Sequence, residues 1–389
     1  MENANHKFHL EEAGTMKIMV LGGCGAMGRA IVRDLMENPE VDQIIVGDVD
    51  LGKARAFVKE LKSAKISAKK VDVTKHRDLV KALQGVDVVA NATWYEFNID
   101  VMKACLKTHS HYLDLGGLYH ITKKQLRLDR QFKRVGITAI LGIGASPGIT
   151  NVLAGYGASK LDSVDQVHIR TGAKGGGGFA YSAKTILDEV TMNPVVFEDG
   201  EFKVVEPLSG KEHYSLPHPV NEVDGVYSIH SELATLPFTI RGIKTVTFRV
   251  GFSPTLVQKV NVLLELGLLS KRPVSIGKAK ISAKDFLYTH LTTLTAPPSL
   301  DEFKSLQVEV VGKKNGESKT LTFETVVKSS EKWNLRATAI WTGVPAAVTA
   351  HWLGVGKIGA KGVVAPEVAI TPEPFMAELA KREINIIQR

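Results

Sequence analysis

Residues 16–50, MKIMVLGGCGAMGRAIVRDLMENPEVDQIIVGDVD, hold the most specific chemistry in the chain. Gly23, Gly25 and Gly28 form a G-x-G-x-x-G turn, with Ala26 and Met27 between the last two glycines. In such a turn the first glycine permits the tight bend. The second lets a pyrophosphate approach the backbone, and the third lets helix and strand pack closely. The helix that follows presents free N–H groups and the positive end of its dipole to the phosphates. Asp48 closes the next apolar run, at the roughly 20-residue spacing of an acid that accepts from a ribose diol. Val49 follows it. A 2′-phosphate beside Asp48 would meet a like charge, costing roughly 4 kcal/mol at about 4 Å with an effective dielectric near 20. The pattern predicts NAD as cofactor and disfavours NADP, although Lys53 and Arg55 lie close by. A purely structural glycine turn with a solvated Asp would leave the order strand, turn, helix, strand, acid unexplained.

The other residues with chemistry in reach fall where apolar runs end. Asp72-Val73 could bracket an adenine, and Asn91, Ala92 and Thr93 follow the fourth run. Tyr95 comes next, where the nicotinamide end should lie. It reads equally as a functional phenol or as an aromatic wall. Asp114 could accept a proton or orient an ammonium; it could also simply cap the Gly116-Gly117 turn. Gly116, Ser146 and Gly148 are candidates for contact with nicotinamide or substrate, with a turn shaped by Pro147 as the alternative for the last two. Glu96 and His120 read as solvated loop residues. Farther on, His230, Glu232 and Thr235 share one short motif. His230 could act as a base near neutral pH, and Glu232 could pair with an ammonium. Arg241 and Arg249 could each hold a carboxylate through two parallel bonds, or be surface charges.

The elements that must position these groups follow from the hydrophobic pattern. Apolar runs at 18–21, 44–46, 67–73, 86–90, 111–115 and 137–141 read as buried parallel strands. Helical spacing over 51–61, 79–83, 99–106 and 122–134 alternates with them. This predicts an α/β doubly wound Rossmann domain over 16–150, with ligands outside the carboxyl ends of its strands. From 151 to 335 the pattern changes to strands at 166–170, 202–205, 244–250, 306–311 and 319–327. The last two flank a slightly long turn at 312–317. We expect a second α/β domain with a mixed or antiparallel sheet. The four-glycine run 175–178 reads as a mobile loop of the kind that acts as a lid. Thr342–Ala347 should lead into a helix at 348–353, and 374–382 reads as a final helix. Residues 336–389 are expected to return to the first domain.

Composition narrows the function classes. The chain has 389 residues and a net charge of +8, dispersed without a dense basic run or an RNA-binding aromatic signature. We expect no nucleic-acid partner. No apolar window approaches a transmembrane span, so no membrane partner is expected. Residues 1–15 lack the apolar core of a secretory signal and read as a short flexible leader. The two cysteines, Cys24 and Cys105, form no ligand spacing with histidines, and a reducing cytoplasm fits them. No metal is expected.

Six separated pieces together resemble the saccharopine dehydrogenase family. They are GGCGAMG with DVD, Asn91–Asn98, Tyr112–Gly117, Gly144–Asn151, His230–Pro237, and Thr342–Ala347 with Gly362–Glu367. The likeness is closest to the L-lysine 6-dehydrogenases. Ser146 stands where saccharopine reductases typically carry Asp, and that subgroup also lacks the Asp there. The glycine-rich 172–179 and Gly251-Phe252 depart from that subgroup. The resemblance implies a pyridine-nucleotide oxidoreductase acting on a C–N bond, a homodimer, and a functional Tyr at 95. The expected reaction is NAD-dependent oxidative deamination, most plausibly of L-lysine at its side-chain amine, releasing 2-aminoadipate 6-semialdehyde and ammonia. An alkylammonium, with its pKa near 10.4, must lose a proton before it can give up hydride. Two alternatives are an oxidoreductase acting on a secondary amine and a non-catalytic NAD-sensing protein.

Overall fold

The computed structural model describes residues 15–177, 179, 181–291 and 299–389. All but the last residue of the expected leader, and Gly178 of the glycine run, lie outside them. The first sheet is built from β1 (Lys17–Leu21), β2 (Gln43–Asp48), β3 (Ile66–Lys70), β4 (Val88–Asn91), β5 (His111–Asp114) and β6 (Thr138–Ile140). A seventh strand, Gly362–Val364, pairs with β6. The order runs Gly362–Val364, β6, β5, β4, β1, β2, β3, and every pairing is parallel. Ile18, Val20, Ile44, Val46, Val88 and Ala90 are buried, as expected for strands covered on both faces. The strand order reverses between β1 and β4, which opens a crevice at their carboxyl ends. The glycine turn and Asn91–Tyr95 both emerge there.

The second sheet contains β7 (Ser163–Gly175), β8 (Val195–Glu198), β9 (Glu201–Val204), β10 (Glu212–Leu216), β11 (Asn221–Tyr227), β12 (Thr245–Val250), β15 (Glu302–Lys314) and β16 (Glu317–Lys328), with Ile387–Gln388 at one edge. A separate hairpin of β13 (Pro273–Ile276) and β14 (Ala279–Ser282) lies between β12 and β15. β7 and β12 are parallel and their other pairings antiparallel, so the sheet is mixed. The β15–β16 ladder runs on to Lys314 opposite Glu317. The turn is therefore Asn315-Gly316 alone, shorter than the sequence suggests. Both residues have positive φ, 52° and 83°, as a tight hairpin turn requires.

Two helices also differ from expectation. Residues 122–134 divide into Leu118–Leu126 and Asp129–Val135. Asp129 Oδ1 accepts from Val363 N at 3.0 Å and ties the second helix to the late strand. The segment 342–347 lies inside one helix, Ala337–Gly354. Pro345 costs that helix a backbone bond. The helix is buried on all sides, however, touching β4 and β5 of one sheet and β15 and β16 of the other. At Gly343 it crosses the glycine-turn helix Ala26–Glu37 so closely that a Cβ would lie 2.5 Å from Ala30 Cβ. This helix welds the two sheets together beneath the crevice.

Candidate active site

At the turn, backbone clearance fixes the glycines. A Cβ on Gly28 would sit 2.3 Å from Gly22 O, and one on Gly23 would sit 2.9 Å from Val46 Cγ1. At Gly25 the only close atom is Gly22 O at 3.2 Å, so its outer side is open to a ligand. No side chain caps the helix Ala26–Glu37, which leaves its first N–H groups available to an anion. Asp48 Oδ2 accepts from Cys24 N and Oδ1 from Asp50 N, both at 3.1 Å. These bonds hold the carboxylate at the end of β2, and each oxygen keeps a free lone pair. Val49 beside it is exposed. These residues fit a dinucleotide. Asp72 instead accepts from Thr74 N and Oγ1, which holds its carboxyl below the usual range. Val73 packs into the core under β3.

A cavity of about 580 Å³ joins this turn to the second domain. Gly25, Ala26, Met27, Ala92, Thr93, Tyr95, Gly116 and Ser146 line one side, and Glu189, His230, Phe248 and Lys304 the other. His230 is buried, and its ring stacks on Phe248 with centroids 3.7 Å apart. Its Nδ1 is bonded to Glu232, whose other oxygen accepts from Thr150 Oγ1 at 2.8 Å. Burial opposes the imidazolium, but the charges of Glu232 and Glu189 outweigh it and raise the His230 pKa above its ordinary 6.5. The shift favours the protonated ring, and no described residue bonds its second nitrogen.

Glu189 is buried on the helix Ala183–Thr191 and accepts from the Tyr181 hydroxyl. Burial raises its pKa, although His230, Tyr181 and Lys304 pull the other way. Sequence reasoning missed Glu189 and Lys304. Glu189 carried no pattern signal: every residue from Ile186 to Val190 is buried, so the acids Asp188 and Glu189 sit on a stretch covered all round. Lys304 did carry one. Lys304 shares the strand phase of Leu306, Val308 and Val310, all fully buried.

Several expected residues stand elsewhere. Asp114 is 1% exposed and accepts from Tyr112 Oη, Gln125 Nε2, Gly116 N and Gly142 N at 2.5–2.9 Å. Burial raises its pKa against those four donors. It fastens two loops together and does not reach the cavity. Asn91 is likewise buried, bonding Asn98, Tyr112 and Thr93. Gly148 caps the helix Ile149–Ser159 with φ at +129°, where a Cβ would strike Gly144 O. The cavity wall does not include Glu232 or Thr235. Glu232 holds His230 from behind, and Thr235 accepts from Asn151 Nδ2 at 3.2 Å. Arg249 alternates with the cavity residues Phe248 and Val250, so it faces the far side of the sheet. There it pairs with Glu212 at 2.9 Å. Arg241 is exposed beside a different cavity. Tyr95 does line the site, but its hydroxyl donates to buried Asp188 at 2.8 Å, and burial pushes its pKa far up.

Comparison with known proteins agrees with this architecture. The chain is 26% identical to a carboxyaminopropylagmatine dehydrogenase of Synechocystis sp. over 386 residues, 94% of this chain and 95% of that one. It is 27% identical to a carboxynorspermidine synthase of Vibrio cholerae, covering 91% and 92% of the two chains. Apo saccharopine dehydrogenase (L-Glu forming) from Saccharomyces cerevisiae shares the fold, with a TM-score of 0.72 at 19% identity, covering 96% of this chain and 99% of that one. Residues 18–140 match the saccharopine dehydrogenase NADP binding domain, and residues 144–384 match the saccharopine dehydrogenase C-terminal domain. With both halves matched in order, and an open glycine turn facing a buried His, the chain belongs to the saccharopine dehydrogenase family, as an oxidoreductase with an NAD(P)-binding domain.

Proposed function

We propose that the chain forms or cleaves the C–N bond of a secondary amine, with a nicotinamide nucleotide as hydride carrier. The observation that carries this reading is His230, buried across one cavity from the glycine turn with its Nδ1 fixed by Glu232. When bound, the nucleotide supplies or removes hydride. The protein supplies the rest. In the reductive direction an amine adds to an aldehyde, and acid must protonate the hydroxyl that leaves as water. His230 carries that proton on the ring nitrogen free to face the cavity. Hydride to the carbon of the resulting iminium then completes the secondary amine. In the oxidative direction His230 is the base that takes the proton from the ammonium. Glu232 fixes the ring's tautomer and stabilises its charged form, the role an orienting carboxylate plays in a catalytic triad. Phe248 and Tyr95 shield the site from water, and Asp48 favours NAD over NADP. A cytoplasmic homodimer belongs to this reading through the family resemblance.

Likeness over most of both chains to enzymes named for carboxylated polyamines supports the secondary amine. Oxidative deamination of L-lysine is the second reading, favoured by neutral Ser146 in the cavity wall. To separate them, the protein is incubated with NADH or NADPH, an amino-acid semialdehyde and a panel of diamines including agmatine, with products read by mass spectrometry. A parallel reaction holds NAD and L-lysine and is assayed for ammonia. We expect a secondary-amine product. Ammonia from lysine alone would favour the second reading. Bound NADH with no product in either reaction would overturn both and leave a nucleotide sensor.

A further inference from the structure

Lys304 is a charged side chain of the cavity that the proposed proton chemistry does not use. It projects from the inward face of β15, in phase with Glu302 and Leu306. Glu302 is already satisfied by Arg336 Nη2, Thr338 N and Thr338 Oγ1 at 2.5–3.0 Å. Lys304 makes no hydrogen bond or ion pair with any described residue, yet it lines the cavity opposite Tyr95 and Ser146. Burial, assisted by Arg336, lowers its pKa despite the pull of Glu302 and Glu189. An ammonium without a partner in such a place is costly, and a partner anion offsets the cost. On the same cavity wall Glu189 provides a buried carboxylate to which, among the described residues, only Tyr181 is bonded.

Resting on the reading of the site as a C–N oxidoreductase, we propose that Lys304 is a specificity-determining residue. It receives a carboxylate at one end of the substrate while Glu189 receives an ammonium elsewhere on it. The cavity therefore selects amines that carry both charges, and discriminates against plain polyamines at Lys304. The substrate's reacting nitrogen lies between these anchors, within reach of His230. A bare diamine could satisfy Glu189 but would leave the half-buried Lys304 unpaired.

The test is equilibrium binding to the protein saturated with NADH, read by the change in nucleotide fluorescence. The probes are 6-aminohexanoate and hexylamine, which differ in the terminal carboxylate. We expect at least tenfold preference for 6-aminohexanoate in the wild type, the scale of one charge-assisted contact. Lys304→Met should erase the preference, and Lys304→Arg should keep it. Unchanged NADH affinity in both variants shows that the fold is intact. A wild type without preference, or a Lys304→Met protein that retains it, overturns the assignment. This binding readout is independent of turnover. Loss of preference in Lys304→Met, with no secondary amine made or cleaved by the wild type, would refute the reaction and leave the anchor standing. An active wild type whose KM for a carboxylated secondary amine is unmoved by Lys304→Met would do the reverse.

Discussion

The two walls of the cavity are built on different principles. The nucleotide wall is made by backbone. Gly23, Gly25 and Gly28 act by having no side chain, and Asp48 acts from a strand end a fixed distance along the chain. The facing wall is made by side chains drawn from distant segments. Glu189 comes from a helix, His230 from the segment before β12, and Lys304 from β15. A backbone wall fails when one atom is added. A side-chain wall fails through charge and proton balance. The first is shared widely among dinucleotide folds, and the second is where a particular substrate is chosen.

That contrast can be broken at graded strengths. Gly28→Ala should have the largest effect, because its Cβ would lie 2.3 Å from Gly22 O with only backbone to yield. Overpacking of this kind costs about 1–3 kcal/mol or more. Isothermal titration should show nucleotide binding weakened by on the order of 100-fold; retained affinity would mean that the turn has slack. His230→Gln should lower kcat by roughly 10²–10⁴-fold, the usual contribution of a positioned acid or base, with NADH affinity unchanged. A kcat within threefold of wild type would remove His230 from the chemistry. Asp48→Ala should shift the ratio of NAD to NADP efficiency by about tenfold toward NADP, since solvent at the half-exposed carboxylate screens the like-charge cost to roughly 1.4 kcal/mol. An unmoved ratio would mean that the carboxylate does not meet the ribose. Arg249→Ala should be the mildest. It should leave KM for substrate within twofold, since Arg249 faces away from the cavity. A large KM rise would place substrate on the other face of the sheet.

The same contrast explains what could be read from the sequence. The first sheet was legible because its strands are short apolar runs separated by helices, and the glycine turn has a fixed spacing. Ala92, Thr93, Gly116 and Ser146 could be placed at the cavity beside the glycine turn because strand ends in a parallel sheet share one edge. Asp114 was misread at the same edge. Its position is right, but the donors that bury it, Gln125 Nε2 and Gly142 N, come from elements outside its local sequence. Arg249 needed only alternation. Phe248 and Val250 face the cavity, so the residue between them cannot. Lys304 could have been found by continuing the phase of Leu306 and Val308 backwards along β15. Glu189 required knowing that its helix is buried on several sides. Pairwise reach between distant segments decides the second wall, and a pattern within one segment does not encode it.

The central claim is that His230, raised above its ordinary pKa by Glu232 and Glu189, holds the proton that moves during C–N bond chemistry. The most direct measurement is the pH dependence of kcat/KM in both directions, for wild type and His230→Gln. An acid is needed for reduction, so the reductive profile should be flat at low pH and fall at a pH above 6.5, once His230 loses its proton. The oxidative profile should rise over the same interval, and both limbs should vanish in His230→Gln. If the limbs persist in His230→Gln with the same midpoint, the proton resides elsewhere and the account is wrong.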